Sequence, residues 1–233
     1  MSDPSRPLRP EADEEDGDTG AEVTLRAAVY ETLRKRLITG RIAPGVAMST
    51  RGLAQELGVS QMPVRDALSR LAAEGAVDIR FKRRIVVPAM TPERLDEVMR
   101  CRLLLEPEAA AIALPHLDAD AQRRLREADA ALDRALERGD VHGYMESNYA
   151  FHFLIYAARG PTILTRMIET LWMQFGPLMR VVYGRVGTAK LIDQHHVALE
   201  AIATRDEARL RAAIAADIAD GMALIAEEAK AAA

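Results

Sequence analysis

Leu25, Val29, Leu33 and Leu37 recur every four residues, so they share one stripe of an amphipathic helix. Gly40 ends that helix, and Ala43-Pro44-Gly45 forms a turn. Leu53, Ala54 and Leu57 mark a second helix, capped by Ser49 or Thr50 and stopped by Gly58. Ser60 is placed to cap a third helix, and Pro63 falls in its first turn, where a missing N–H costs little. Val64, Leu68 and Leu71 face inward on it, and Gly75 ends it. Helix, short turn and helix is the helix-turn-helix arrangement. The period then changes to two. Val77 and Ile79 alternate with polar residues, a basic tip of Lys82, Arg83 and Arg84 follows, and Ile85 to Val87 return, which predicts a short β-hairpin wing.

Beyond Thr91-Pro92-Glu93, an N-cap, a helix-starting Pro and a first-turn acid, the alternation does not recur. Helical stretches are predicted at 92–114, 118–138, 141–158, 161–184, 188–204 and 206–230. They break at Pro115, Gly139, Gly160-Pro161, Gly184 with Gly187, and Arg205-Asp206, and Gly176-Pro177 is expected to kink the fourth. The fold class is therefore mostly α: an N-terminal winged helix-turn-helix with a small β-hairpin, and a C-terminal all-helical bundle of about six helices.

Composition adds limits. The 233 residues allow one or two domains, and 49% hydrophobic with 28% charged residues is ordinary for a soluble protein. A single Cys, Cys101, excludes a disulfide scaffold and a CxxC knuckle. No apolar run approaches the roughly 18 residues of a membrane span and no secretory signal is seen, so a cytoplasmic protein is expected.

The net charge of −4 argues at first against a nucleic-acid binder. Divided along the chain it reverses that reading. Residues 1–22, with Glu11-Ala-Asp-Glu-Glu-Asp16, sum to −6 and are expected to be a disordered acidic tail. Residues 23–88 sum to +7, and the remainder to −5. The expected domains are the tail at 1–22, a DNA-binding winged helix-turn-helix at 23–90, and a helical effector-binding and dimerisation domain at 91–233.

Gln61, Met62, Arg65 and Ser69 lie on the third helix away from Val64 and Leu68. The first residues of such a helix meet base edges in the major groove. Arg65 can donate two hydrogen bonds to guanine, Gln61 can read adenine or contact phosphate, and Ser60 and Arg51 suit phosphates. Pro63 and the wing-tip Lys82, Arg83 and Arg84 complete the candidate DNA surface. Each arginine alone is more often a solvated charge than a DNA contact. Spacing, basic wing and net charge together favour DNA.

This stretch resembles the GntR family of bacterial transcription regulators. The resemblance rests on Leu37-Ile-Thr-Gly40, Pro44-Gly45, Leu53-Ala-Gln-Glu-Leu-Gly-Val-Ser60, Pro63-Val-Arg-Asp-Ala-Leu68 and Glu74-Gly75. Gln61 stands where the family has Arg, and Lys82-Arg-Arg84 where it has a wing-tip Gly. A double-stranded DNA operator different from the family's usual choice is the expectation.

In the second half, Asn148 and His152 are spaced i, i+4 on one helix face, with Phe151, Leu154 and Ile155 alongside. His195 and Asp217 follow. Imidazole and carboxylate suit Zn²⁺, Ni²⁺ or Mn²⁺, although a His on an apolar face is commonly a core histidine. This half is similar to the ligand-binding FCD domain of the FadR subgroup. The similarity rests on Arg102-Leu-Leu-Leu-Glu106-Pro-Glu-Ala, Phe151-His152, Gln194-His195 with Ala201-Ile202, and Arg205-Asp206. It implies a divalent metal held by one Asp and three His, and a small carboxylate effector touching the metal and a nearby Arg.

Here Asn148 replaces the Asp and Asp217 the last His, so the candidate metal ligands are Asn148, His152, His195 and Asp217. The alternative is a metal-free polar pocket. Candidate effector contacts are Arg102, Asn148, His152 and His195. Arg102 could equally be paired with Glu106, one turn on. His196 points about 100° away and is left out. His116 and His142 are read as solvent-facing.

The resulting expectation is a homodimeric, ligand-responsive DNA-binding regulator, a repressor rather than an activator and not an enzyme. Two rivals remain: a metal-dependent enzyme using His152, His195 and Asp217, and a scaffold whose winged helix binds protein. The first lacks a nucleophile–base pair, a Gly-rich phosphate loop and HExxH. The +7 module and Arg65 argue against the second.

Overall fold

The computed structural model describes residues 16–80, 84–186 and 194–231, with side chains for 24–80, 84–183 and 194–223. Three helices open the chain: α1 (Asp16–Ile38), α2 (Thr50–Leu57) and α3 (Gln61–Ala73). α1 starts inside the segment whose composition reads as a disordered tail. Val29, Leu33, Leu37, Leu53, Val64, Leu68 and Leu71 are buried together, as the stripes require, whereas Leu25 at the start of the first stripe is 40% exposed.

Ser49, not Thr50, caps α2 by accepting from the Gly52 N–H at 3.0 Å. Gly58 then takes φ +68°, a left-handed conformation that favours glycine, and turns the chain into α3. Ser60 holds the N-cap position of α3 in extended conformation, but its side chain makes no capping hydrogen bond. The wing is an antiparallel pair, β1 (Asp78–Arg80) and β2 (Arg84–Val86), in register Ile79↔Ile85. Met48 pairs with Ile85, tying the turn before α2 to the wing.

The rest is helical: α4 (Pro92–Ala113), a 3₁₀ turn at Leu114–His116, α5 (Ala119–Glu137), α6 (Val141–Tyr156), α7 (Ile163–Val186), α8 (His195–Thr204) and α9 (Glu207–Ala231). Short polar side chains start several of these helices. Thr91 accepts from Arg94 N, Asp118 from Ala121 N and Asp140 from Gly143 N. α4 packs against α6, α7 and α9, while α5 lies along α6. The mostly helical class and the six-helix bundle therefore hold. No helix among the described residues is long and apolar enough to cross a membrane. The expected helix over 188–204 is described from His195 only, because 187–193 lie outside the described residues.

Gly176-Pro177 does not end α7, which is assigned as one helix through both residues. Gly176 also serves the packing of the two halves. The C-terminus of α1 crosses α7 there, and a Cβ on Gly176 would lie 2.3 Å from the Ile38 carbonyl oxygen. Gly40, at φ +66°, faces Arg180 from the other side of the same contact. The two halves are thus docked through backbone that only glycine permits.

Gly176→Ala should lower unfolding free energy by about 1–3 kcal/mol, because backbone rather than a flexible side chain must move. Urea denaturation of the full chain measures it, and an unchanged midpoint would show that the junction yields freely.

Candidate functional site

Gln61, Met62, Arg65 and Ser69 are exposed on α3, whereas Val64, Ala67, Leu68 and Leu71 are buried. The helix therefore shows solvent the face that its sequence reserves for a partner. Arg51 on α2, Ser60 and Arg84 at the start of β2 are also exposed. A cavity of about 260 Å³ between α3 and the wing is lined by Thr50, Arg65, Leu68, Ser69, Ile79 and Ile85. Lys82 and Arg83 lie outside the described residues.

Two readings are corrected here. Pro63 is buried, so it shapes the start of α3 and does not offer a contact to DNA. Ile79 does not share the burial of Val77. It is 52% exposed, because β1 is the outer strand of the wing, with β2 between it and Met48, and Ile79 stands at the rim of that cavity.

The second site lies inside the bundle. α6 contributes His152, α8 contributes His195 and α9 contributes Asp217, and one donor atom from each lies within 4.8 Å of the others. His152 Nε2 is 3.2 Å from Asp217 Oδ2 and 3.4 Å from His195 Nε2, and His195 Nε2 is 3.9 Å from Asp217 Oδ1. Both imidazoles are buried, and the Asp217 side chain is 20% exposed. Ligands at 2.0–2.2 Å around a tetrahedral ion sit about 3.3–3.5 Å apart, so spacing and donor type fit a divalent metal. Asn148 is buried one turn before His152. His196 is exposed, as its phase requires, as is His116. His142 is only partly exposed and sits beside Arg41 and Glu146.

Aromatic rings hold the imidazoles in place. Phe151 stacks on His195 with centroids 3.8 Å apart and planes 13° from parallel. Trp172 of α7 lies 5.3 Å from His152. Burial pushes the Asp217 carboxyl up, but the hydrogen bond and charge of His152, with the charges of His195 and Arg102, hold it below its ordinary value. Burial and the nearby Glu106 charge push the Tyr156 phenol well above its ordinary value, so it keeps its proton.

Arg102 does not stand free to meet a ligand. Its Nε and Nη2 fork Glu106 at 2.6 and 3.2 Å, and both side chains are almost fully buried. The guanidinium also lies over the Phe175 ring at 4.0 Å. Of the two readings for Arg102, the geometry favours the internal ion pair.

Three further residues surround the cluster, of which sequence reasoning missed Tyr156 and Asp129. Tyr156 Oη lies 3.0 Å from His152 Nδ1 and donates to Glu106 at 2.9 Å. Trp172 Nε1 donates to Glu106 at 3.2 Å. Asp129 Oδ1 lies 3.2 Å from His195 Nδ1. Tyr156 had a signal, the i+4 spacing from His152. Asp129 sits 66 positions from its partner on another helix and had none.

A three-helix unit with an outward polar third helix and a wing, docked on a helical bundle, is the form of a DNA-binding regulator with a separate second domain. The comparisons agree. Residues 25–87 match the model for bacterial regulatory proteins of the gntR family, and residues 97–220 match the FCD domain. The HTH-type transcriptional regulator McbR of Escherichia coli is 32% identical over 209 residues, covering 88% of this chain and 95% of that protein. The solved structure of E. coli McbR/YncC superposes with a TM-score of 0.83 at 31% identity, covering 88% of this chain and 98% of that one. The gluconate operon transcriptional repressor of Bacillus subtilis is 26% identical over 193 residues, covering 77% and 75%. The chain belongs to the GntR family and carries its FCD domain. It is a DNA-binding transcription regulator, not an enzyme.

Glu106→Gln removes one charge of a buried ion pair and should cost about 3–5 kcal/mol of stability. Denaturant unfolding measures this, with the exposed Asp96→Ala as the control expected to change little. Equal effects of the two substitutions would contradict the pairing.

Proposed function

We propose that this regulator is a cytoplasmic homodimer, that it represses by binding a near-palindromic operator, and that a small organic acid bound in the helical domain releases it. The carrying observation is the convergence of His152, His195 and Asp217 on helices of the bundle whose neighbours also hold the DNA module. α6, which bears His152, also bears Glu146, 3.5 Å from Lys35 and 3.6 Å from Arg41 near the end of α1. α7, whose Trp172 and Phe175 wall the site, bears Glu169, 2.5 Å from Arg34 of α1. Its Gln174 accepts from Arg94, which also donates to the Gly75 carbonyl oxygen at the end of α3. A ligand that favours one arrangement of α6 and α7 therefore bears on α1. It can change operator affinity only by its differential affinity for the two arrangements.

In this reading His152, His195 and Asp217, with Asn148 beside them, hold a divalent ion such as Zn²⁺, Ni²⁺ or Mn²⁺. That ion supplies a Lewis-acidic position for an effector oxygen. The protein itself supplies the aromatic walls and the fixed imidazoles. With its fork on Glu106, Arg102 is not the effector's anchor. The B. subtilis gluconate repressor, a relative named for an operon of a sugar acid, supports a carboxylate as the effector class.

On the DNA side Arg65 reads a base edge, Gln61 reads adenine or phosphate, and Arg51, Ser60, Lys82, Arg83 and Arg84 meet phosphates. One module reads one half-site, and two-fold symmetry makes the operator a near-palindrome.

Arg65→Ala should weaken operator binding by about 1–3 kcal/mol and relax preference at one base position. Mobility shifts on operators selected from random DNA test this. Elemental analysis of the purified protein should find about one divalent ion per chain and none in His152→Ala. Candidate sugar acids and other small carboxylates should release the shifted band. Operator affinity unmoved by every ligand that binds the helical domain would overturn the sensing role.

A further inference from the structure

Glu106 is fully buried and accepts four hydrogen bonds. Oε1 takes Arg102 Nε and Trp172 Nε1, and Oε2 takes Arg102 Nη2 and Tyr156 Oη. A carboxylate has about four acceptor positions, so this one is saturated, and as an ion it has no proton to give. The Tyr156 phenol has one proton, and it is committed to Glu106. Towards His152 its oxygen can only accept.

His152 Nδ1 lies 3.0 Å from that oxygen and must therefore carry the imidazole's N–H. The ring's other nitrogen, Nε2, is thereby the one turned to the cluster, 3.2 Å from Asp217 Oδ2 and 3.4 Å from His195 Nε2.

We propose that Arg102, Glu106 and Tyr156 form a buried positioning relay that fixes His152 with an N–H on Nδ1 and turns its Nε2 to Asp217 and His195, as the nitrogen left for a metal ion. Asp129 serves His195 in the same sense: an acceptor-only carboxylate 3.2 Å from Nδ1 places a proton there and leaves His195 Nε2 turned to the cluster. The relay gives the buried arginine a role other than ligand capture. Its guanidinium holds Glu106 in place, Glu106 orients the phenol, and the phenol oxygen calls for an N–H on His152 Nδ1. Outer-shell partners of this kind hold a metal-binding imidazole in register. The part of the proposal that concerns metal affinity rests on the metal reading given above. The tautomer does not.

Two measurements on the full chain separate the two. The first is ¹⁵N–¹H correlation of the imidazoles in the metal-free protein. His152 is expected to carry a proton on Nδ1 in the wild type. In Tyr156→Phe, which keeps the ring and removes the accepting oxygen, the proton is expected to move to Nε2, where Asp217 accepts it. The second is Zn²⁺ affinity by competition with a chromophoric chelator. Tyr156→Phe should bind about 10–100-fold more weakly than the wild type, and Phe153→Leu, a partly buried neighbour outside the relay, should not.

A wild-type His152 with a bare Nδ1 would overturn the relay. So would a Tyr156→Phe protein with wild-type tautomer and wild-type Zn²⁺ affinity. A wild type that binds no Zn²⁺ but carries the Nδ1 proton would overturn the metal reading and leave the relay standing. The wild-type spectrum decides the tautomer even if Tyr156→Phe does not fold.

Discussion

A carboxylate fully withdrawn from water at the centre of a helical bundle sets the terms for everything around it. Glu106 is stable there only because α4, α6 and α7 each bring it a donor: Arg102 from its own helix, Tyr156 and Trp172 from the others. An ionised group buried without such partners costs several kcal/mol even after relaxation. The three helices are consequently held at one spacing and one rotation. Slippage of α6 by a single residue would withdraw the Tyr156 phenol and leave a bare charge behind. The imidazole one turn away on α6 inherits that fixed position, so a charge that binds nothing external determines where the site can form.

The same helices carry the docking of the DNA module. α7 presents Trp172 and Phe175 to the interior, Glu169 to Arg34 of α1, and Gly176 to the α1 carbonyls. α6 presents His152 inward and Glu146 to Lys35 and Arg41. Glu146 gathers Lys35, Arg41 and His142 within 3.6 Å, an exposed group that salt weakens readily. The glycine contact is of another kind, because steric closure does not depend on ionic strength. The junction thus joins a steric crossing to polar contacts of different exposure, from the largely buried Arg34–Glu169 pair and the Arg94 bridge to the exposed Glu146 group.

The legible parts of the chain were those where local periodicity and packing agree. The helix-turn-helix followed from Leu33, Leu53, Val64 and Leu68 because each faces a core made by near neighbours in sequence. The left-handed turn at Gly58 is written in its glycine. Ile79 misled because alternation tells which face a strand residue takes but not where the core ends. The close approach at Gly176 was hidden because its partner is a carbonyl more than a hundred residues earlier in the chain. In the site, His152, His195 and Asp217 were reached through family spacing, since helices α6, α8 and α9 meet only in three dimensions. Asp129 and the saturation of Glu106 were out of reach for the same reason: no spacing along the chain records a hydrogen bond between helices that a bundle brings together.

The site also shows what its two exchanged positions conserve. The resemblance implies one carboxylate on the helix of His152 and a third imidazole further on; this chain has Asn148 and Asp217 instead. One anionic donor and two imidazoles remain at the cluster, but the anion now comes from α9 rather than α6. Its position matters more than its presence. On α6 a carboxylate would be fixed relative to His152 by the helix itself. On α9 it is fixed by packing against α8 and α4, and its 3.2 Å approach to His152 spans the bundle. Any change in the cluster that draws Asp217 and His152 together or drives them apart therefore acts between α9 and α6. It is no longer absorbed within one helix, as it would be with the carboxylate on α6.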